Sequence, residues 1–319
     1  MSKQNYDAAL DSLETTDNIN VNFNEQPLST KTKPTSLGNI NVSTDNTTNV
    51  LPGYLEIYSD NFPSGGLFYK EDTRFFIRPA DVREIRQFST INEQDPFSVD
   101  EALTNIIKSC FMMRQPGKMV SFKDLKEEDR IHIILSIRDL TFVNGENQLK
   151  LSPKCKECDH ENSLIIKSDS FDRTILKDNI LKYFNEETRN FDVQTKSSGV
   201  ISIAPPSIGI MQEVTKWIQK SNNEGKKIDQ AFVKVLPYMI TDWRGLNDSV
   251  IKNLEMEFMS WNTTKYQTMY TLVDMCRIGV KEELTMSCEK CGAEVTTPIS
   301  FPGGIKSLFV ISNIDSELL

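Results

Sequence analysis

The sequence predicts an α+β fold, mostly helical, in which two Cys-x-x-Cys turns carried on β-hairpins meet across a long helical insertion. Three observations point there. Cys155/Cys158 and Cys288/Cys291 are each flanked by short, apolar-rich segments of strand character. The interval between the two pairs is filled largely with apolar stripes of helical period. Before Leu51 the chain is rich in Asn, Thr, Ser and Asp with almost no adjacent apolar residues. Such a stretch buries too little surface to offset its conformational entropy.

The organisation follows from these three. Residues 1–50 are expected to be disordered, or an extended arm that orders on a neighbouring subunit. Residues 51–147 read as a β-turn plus helical domain, 148–168 and 282–303 as the two hairpins, and 169–281 as the helical insertion. In the first domain, Tyr54-Leu55-Glu56-Ile57-Tyr58 alternates as a strand. Phe62-Pro63-Ser64-Gly65-Gly66-Leu67-Phe68-Tyr69 is a tight turn around Pro-Ser-Gly-Gly. Phe75 to Pro79 reads as a strand, and 80–89 as a helix. Ser98 with Glu101 three residues on makes a capping box that starts a second helix. Its stripe Val99, Leu103, Ile106, Ile107, Cys110 places Cys110 in a core. A third helix is expected over 122–140. It is apolar on most sides and therefore deeply buried, with His132 as an ordinary buried or surface histidine.

Further on, Gln148 to Leu151 and Asn162 to Lys167 flank the first cysteine pair as strands. Residues 171–184 are expected to be helical, with Phe171, Ile175, Ile180 and Phe184 inward. Gly199 to Ile203 is a strand ended by Pro205-Pro206, after which Ser207 caps a helix with Ile210, Met211, Val214, Trp217 and Ile218 on one face. Helices at 228–239 (bent or ended near Pro237), 248–260 and 263–279 follow, the last with Cys276 on its apolar stripe. Glu283 to Met286 and Val295 to Phe301 flank the second cysteine pair as strands.

At 319 residues the chain is long enough for two domains and a sizeable core. Its net charge of −9 disfavours sequence-independent nucleic-acid binding, which needs a basic surface to release phosphate counterions. No run approaches the roughly 20 apolar residues that span a bilayer, and the first residues lack the apolar core of a signal peptide. A cytoplasmic chain is therefore expected, where reduced thiols favour metal binding over disulfides.

Zinc takes four ligands in a tetrahedron, and thiolates suit it. Two cysteines three apart, on a turn between antiparallel strands, can both point at one ion. The residue after the second cysteine often needs a left-handed backbone. Gly292 supplies this freely, and Asp159 is the next best type there. One such knuckle gives half a tetrahedron; Cys155, Cys158, Cys288 and Cys291 together give a shared structural zinc site, a ribbon split by the insertion. The interval from Cys158 to Cys288 far exceeds the roughly 15–20 residues of the contiguous pattern, so the matching flanks carry the argument. A redox dithiol, a fourth ligand from His160, and knuckles without metal are the alternatives. A closed Cys₄ site has no open position for substrate. With two histidines and none of the common catalytic motifs, no catalytic residues and no enzyme activity are expected.

Three stretches together resemble the T4-type bacteriophage baseplate hub assembly proteins. They are the Phe62 to Tyr69 turn with Ile77-Arg78-Pro79 behind it; Ile131 to Phe142 running toward the first knuckle; and Cys288-Glu289-Lys290-Cys291-Gly292 followed by an alternating strand and Phe301-Pro302-Gly303-Gly304. The resemblance covers roughly 52–310, and the long polar N-terminal segment departs from it. It implies a structural or assembly component of a contractile phage tail baseplate, in the host cytoplasm during assembly and then either kept in the virion tail or acting in its construction alone. The implied partners are other tail subunits, reached through the N-terminal arm, and a homo-oligomer is compatible with this. The alternative reading is a zinc-ribbon binding module for nucleic acid or host transcription machinery.

Overall fold

Four strands, β1 (Leu55–Ile57), β2 (Arg74–Ile77), β3 (Phe111–Gln115) and β4 (Lys118–Val120), pair antiparallel in that order. This computed structural model describes residues 52–143, 148–174, 176, 178–195, 199–281, 283–298, 301 and 304–310. The 1–50 segment, and with it the disordered tail or arm, lies outside them, as does Ile175. The register sets Ile57, Phe75, Met113 and Val120 in one row across the sheet. Successive strand residues point to opposite faces, so this row and the neighbouring Ile77 and Phe111 meet one apolar core.

Three helices close over that face: α1 (Val82–Ser89), α2 (Pro96–Cys110) and α3 (Glu127–Thr141). Asp81 caps α1 in a reciprocal box with Glu84. Ile133, Ile134, Leu135 and Ile137 of α3 are fully buried, as its apolar composition predicts. The Phe-Pro-Ser-Gly-Gly turn is tied to α3 by one buried carboxylate. Asp129 accepts from the Ser64 backbone N–H at 2.9 Å, the Ser64 hydroxyl at 2.7 Å and the Tyr69 hydroxyl at 2.5 Å. Gly66 is required there: its φ is +80°, and a Cβ would lie 2.5 Å from Ser59 Oγ.

Described residues between Leu176 and Ile278 build most of a second core. Strands β8 (Phe184–Asn185), β9 (Asn190–Thr195) and β10 (Gly199–Ile203) form an antiparallel sheet in the order β10-β9-β8. Helices α4 (Ile208–Asn223), α5 (Gln230–Val235), α6 (Asp248–Met259) and α7 (Thr263–Met275) pack with it around Phe191, Ile203, Phe232, Leu236 and Val273. Ser207 caps α4 as expected, accepting from Ile210 N–H at 3.4 Å. Cys110 and Cys276 are core thiols, one in each cluster. Burial pushes the Cys110 thiol up to about 12 and raises that of Cys276 further, as inert interior cysteines require.

Five expectations need correction. Helix α2 begins at Pro96 with Asp95 as its cap, accepting from Phe97 N–H; Ser98 lies inside the first turn. An Asp-Pro pair outranks the Ser98 box because Pro at the first position is pre-set for a helix. The expected 122–140 helix is two elements, a 3-10 turn at Phe122–Asp124 and α3. Between them Leu125 and Lys126 are extended, because Leu125 O accepts from Ile208 N–H at 2.8 Å and Glu127 N–H donates to Pro206 O at 3.0 Å. Residues 171–184 are not one helix. Strand β7 (Arg173–Thr174) pairs with β11 (Gly279–Val280), and a helical turn, Asp178–Leu181, leads into β8. That same pairing stops α7 at Met275, short of the expected 279, with Cys276 as its C-terminal cap. The stretch 169–281 is therefore mixed, carrying the three-stranded sheet beside its helices.

Two hairpins remain, β5 (Leu149–Leu151) with β6 (Leu164–Ile166), and β12 (Glu283–Ser287) with β13 (Glu294–Pro298). Leu149, Leu151 and Ile166 from the first and Leu284 from the second bury in the same sheet-and-helix core. Each fully buried side chain of this size stabilises by about 1.5–3 kcal/mol. Both hairpins are thus planted on one surface. The β7–β11 pair and the bond from Lys281 N–H to Asp172 O, 2.8 Å, close the chain between them.

Candidate metal centre

The two cysteine turns have nearly the same backbone. Cys155 N–H donates to His160 O at 2.9 Å, and Cys288 N–H to Ala293 O at 2.7 Å. Asp159 N–H returns to Cys155 O at 3.0 Å, and Gly292 N–H to Cys288 O at 2.9 Å. Asp159 and Gly292 are left-handed, with φ of 53° and 72°, as the position after the second cysteine demands. In each turn, amides wrap around the cysteine pair and leave both side chains on one side.

Planted on one core, the turns converge. The Sγ atoms of Cys155, Cys158, Cys288 and Cys291 all lie within 4.8 Å of one another and could hold a metal ion; no other such group forms among the described residues. Across the gap, Cys155 meets Cys291 at 3.6 Å, and Cys158 meets Cys288, 130 positions away in sequence, at 3.7 Å. A disulfide needs about 2.05 Å. A tetrahedral thiolate site with metal–sulfur bonds of about 2.3 Å needs sulfurs about 3.8 Å apart. The cross-knuckle distances fit the second geometry. This arrangement is compatible with a zinc ribbon.

Cys155 and Cys288 are 1% and 3% exposed, while Cys158 is half-buried and Cys291 exposed, so the group opens to solvent on one side. Val295, Met286 and Ala293 pack against the sulfurs as a small apolar cluster of their own. Protons are shared unevenly. Burial resists ionisation of Cys288, but the backbone N–H groups of Cys291 and Lys290, then the Cys291 and Cys158 thiols, bring it down to about 6. At Cys158 the His160 backbone N–H favours the thiolate, yet burial and the neighbouring thiols push it up to about 12. A thiolate pre-formed within a group of thiols is what a cation displacing protons would meet.

His160 is not one of the converging ligands; its Nε2 lies 3.8 Å from Glu289 Oε2 on the opposite turn. The residue that sequence reasoning missed is Asn162, buried beneath the first knuckle and bonded to both. Its only signal was a polar residue at the head of an apolar strand, and that strand begins two residues later, at Leu164. Elsewhere, a depression of about 460 Å³ between α1 and α2 is bordered by Glu84, Glu101 and Lys108. Its buried acid is already engaged, Glu84 taking Arg78 at 2.9 Å and the Asp81 N–H at 2.9 Å. No helix among the described residues is long and apolar enough to cross a membrane. No protein-family model, curated protein or solved structure matches the chain.

Proposed function

We propose that Cys155, Cys158, Cys288 and Cys291 bind one structural zinc ion, and that the chain is a non-catalytic structural or assembly component of a contractile phage tail baseplate. The observation that carries the metal reading is the convergence of four sulfurs, from two turns 130 positions apart, at spacings suited to a tetrahedron. Four thiolates favour zinc among the common cellular cations. With all four positions filled by protein, the ion polarises no substrate and activates no water. Its work is to hold two distant segments together.

The baseplate reading rests on the resemblance of the Phe62 to Tyr69 turn, the Ile131 to Phe142 helix and the second knuckle. In the fold, the Asp129 bonds to Ser64 and Tyr69 tie that turn to α3, an arrangement a scaffold can use. The partners are other tail subunits, and the place of action is the host cytoplasm during assembly, then the virion tail. The nucleic-acid alternative is less favoured by the charges at the knuckles, where Lys150, Lys154, Lys156 and Lys290 are largely cancelled by Glu157, Asp159, Glu161 and Glu289.

Metal analysis of the purified chain tests the first half: about one zinc per wild-type chain and little in Cys288→Ser fits a shared site, whereas unchanged zinc in the variant excludes it. Mass spectrometry of purified phage particles and of assembly intermediates tests the second. Finding the chain with baseplate subunits in either supports the role; its absence from both counts against it.

A further inference from the structure

Asn162 lies seven positions after Cys155, and its counterpart seven positions after Cys288 is Val295. Both are buried, at 1% and 4% exposure, at matching places in two nearly identical turns. Val295 packs against the sulfur cluster as a plain apolar side chain. Asn162 instead carries a set of hydrogen bonds. Its backbone N–H donates to Pro153 O at 3.0 Å. Its Nδ2 donates to Pro153 O at 3.2 Å and His160 O at 3.3 Å. Its Oδ1 accepts from the N–H of Glu289, in the opposite knuckle, at 2.9 Å.

Each end of this amide touches the frame of a ligand. His160 O is the carbonyl that also accepts from Cys155 N–H, and Glu289 directly follows Cys288. One side chain thereby joins the backbone holding Cys155 to the backbone holding Cys288, across 127 positions of sequence. We propose that Asn162 is a positioning residue for the metal centre, setting the two knuckles in register so that the four sulfurs converge before metal arrives. The inference rests on the metal reading above. Its physical basis is that groups bonded to a ligand's frame orient the ligand and govern affinity without touching the ion. A buried amide also tolerates only the arrangement in which its partners are in place, since unpaired buried polar groups are costly. Asn162 therefore selects one relative placement of the turns, where apolar contact alone would allow sliding.

The test is zinc affinity by chelator competition on the full chain, with Co²⁺ absorption as a second probe, for wild type, Asn162→Ala and Asn162→Asp. Asn162→Ala is expected to bind one ion per chain with affinity lowered about ten- to a hundred-fold. Its thiolate-to-cobalt charge-transfer band still reports four sulfurs. Asn162→Asp keeps an acceptor for the Glu289 N–H but turns its second oxygen, in place of the Nδ2 donors, toward the Pro153 and His160 carbonyls. It is expected to lose affinity as well, with hydrogen exchange at Glu289 held near the wild-type rate. Should the alanine variant fail to fold, the aspartate variant and that exchange readout carry the test. Affinities within about twofold of wild type, or Glu289 exchange no faster in the alanine variant than in wild type, would overturn the role of Asn162. Wild type that binds neither zinc nor cobalt instead removes the metal reading itself, so the two failures are distinguishable.

Discussion

The two knuckles share a backbone and differ in what lies beneath it. The first rests on Asn162, a polar side chain bonded to both turns; the second rests on Val295, an apolar one. They differ also at the left-handed position, Asp159 against Gly292. The contrast separates two requirements that a metal centre usually hides in one. Presenting two cysteines needs only the local turn, and either knuckle does that alone. Bringing four together needs a long-range register, which comes from planting both hairpins on one core and from one cross-knuckle hydrogen bond.

The largest effect should come from the ligands, and it should be symmetric. Cys155→Ser and Cys288→Ser, one from each knuckle, are both expected to abolish metal binding. Each should forfeit most of a binding free energy on the order of 10 kcal/mol for structural zinc, seen as loss of the metal-dependent rise in melting temperature. Unequal effects would mean that one knuckle binds alone. Next in size, Val295→Ala should destabilise the loaded protein by about 2 kcal/mol through the cavity it leaves, measured by urea unfolding. Its zinc affinity should stay close to wild type, in contrast to Asn162→Ala, because an apolar support fills space without fixing register.

A region outside the knuckles provides a comparison in pH. The segment from Leu125 to Asp129 is bonded to the chain at 206–208, as the knuckles are to each other, but holds carboxylates where they hold thiols. There burial drives the Glu128 carboxyl up to about 8, against the lowering effect of its own backbone N–H and of Lys126. The folded state thus holds a proton that the unfolded state has released above its ordinary value of 4.5. Stability should fall as pH rises from about 4.5 to about 8, by at most about 1.4 kcal/mol per unit from this group, and level off above. Glu128→Gln should flatten that slope in denaturant titrations at several pH values, leaving zinc content unchanged. The smallest effect belongs to the left-handed positions. Gly292→Ala meets nothing within 4 Å, so only its φ of +72° resists, and about 1 kcal/mol should be lost in thermal unfolding. Asp159→Gly should be neutral or slightly stabilising, since it relieves the strain that its counterpart never had.

What was legible in the sequence was what local chemistry determines. The knuckles, their left-handed residues, the Ser207 cap and the buried apolar α3 all follow from side chains a few positions apart. What failed depended on partners far along the chain. The apolar residues of 171–184 suggest a helix, but Arg173 and Thr174 are drawn into pairing with Gly279 and Val280, and tertiary pairing overrides a weak local preference. Leu125 and Lys126 leave the helix because Ile208 N–H takes Leu125 O, the Tyr69 hydroxyl takes Lys126 N–H and Pro206 O takes the next N–H, that of Glu127. Strand β9 was readable and was passed over: Phe191 and Val193 alternate with polar residues and are both buried. Asn162 was not readable, because its importance lies in an amide 127 positions away.

The most direct test of the shared centre is X-ray absorption at the zinc edge of the purified full-length chain, which reads the ligands around the ion itself. The shared-zinc proposal predicts a single shell of four sulfurs at about 2.3 Å, and loss of that shell in Cys155→Ser and in Cys288→Ser alike. A shell of two sulfurs with nitrogen or oxygen neighbours, or a four-sulfur shell that survives either substitution, would contradict one ion held between the two knuckles.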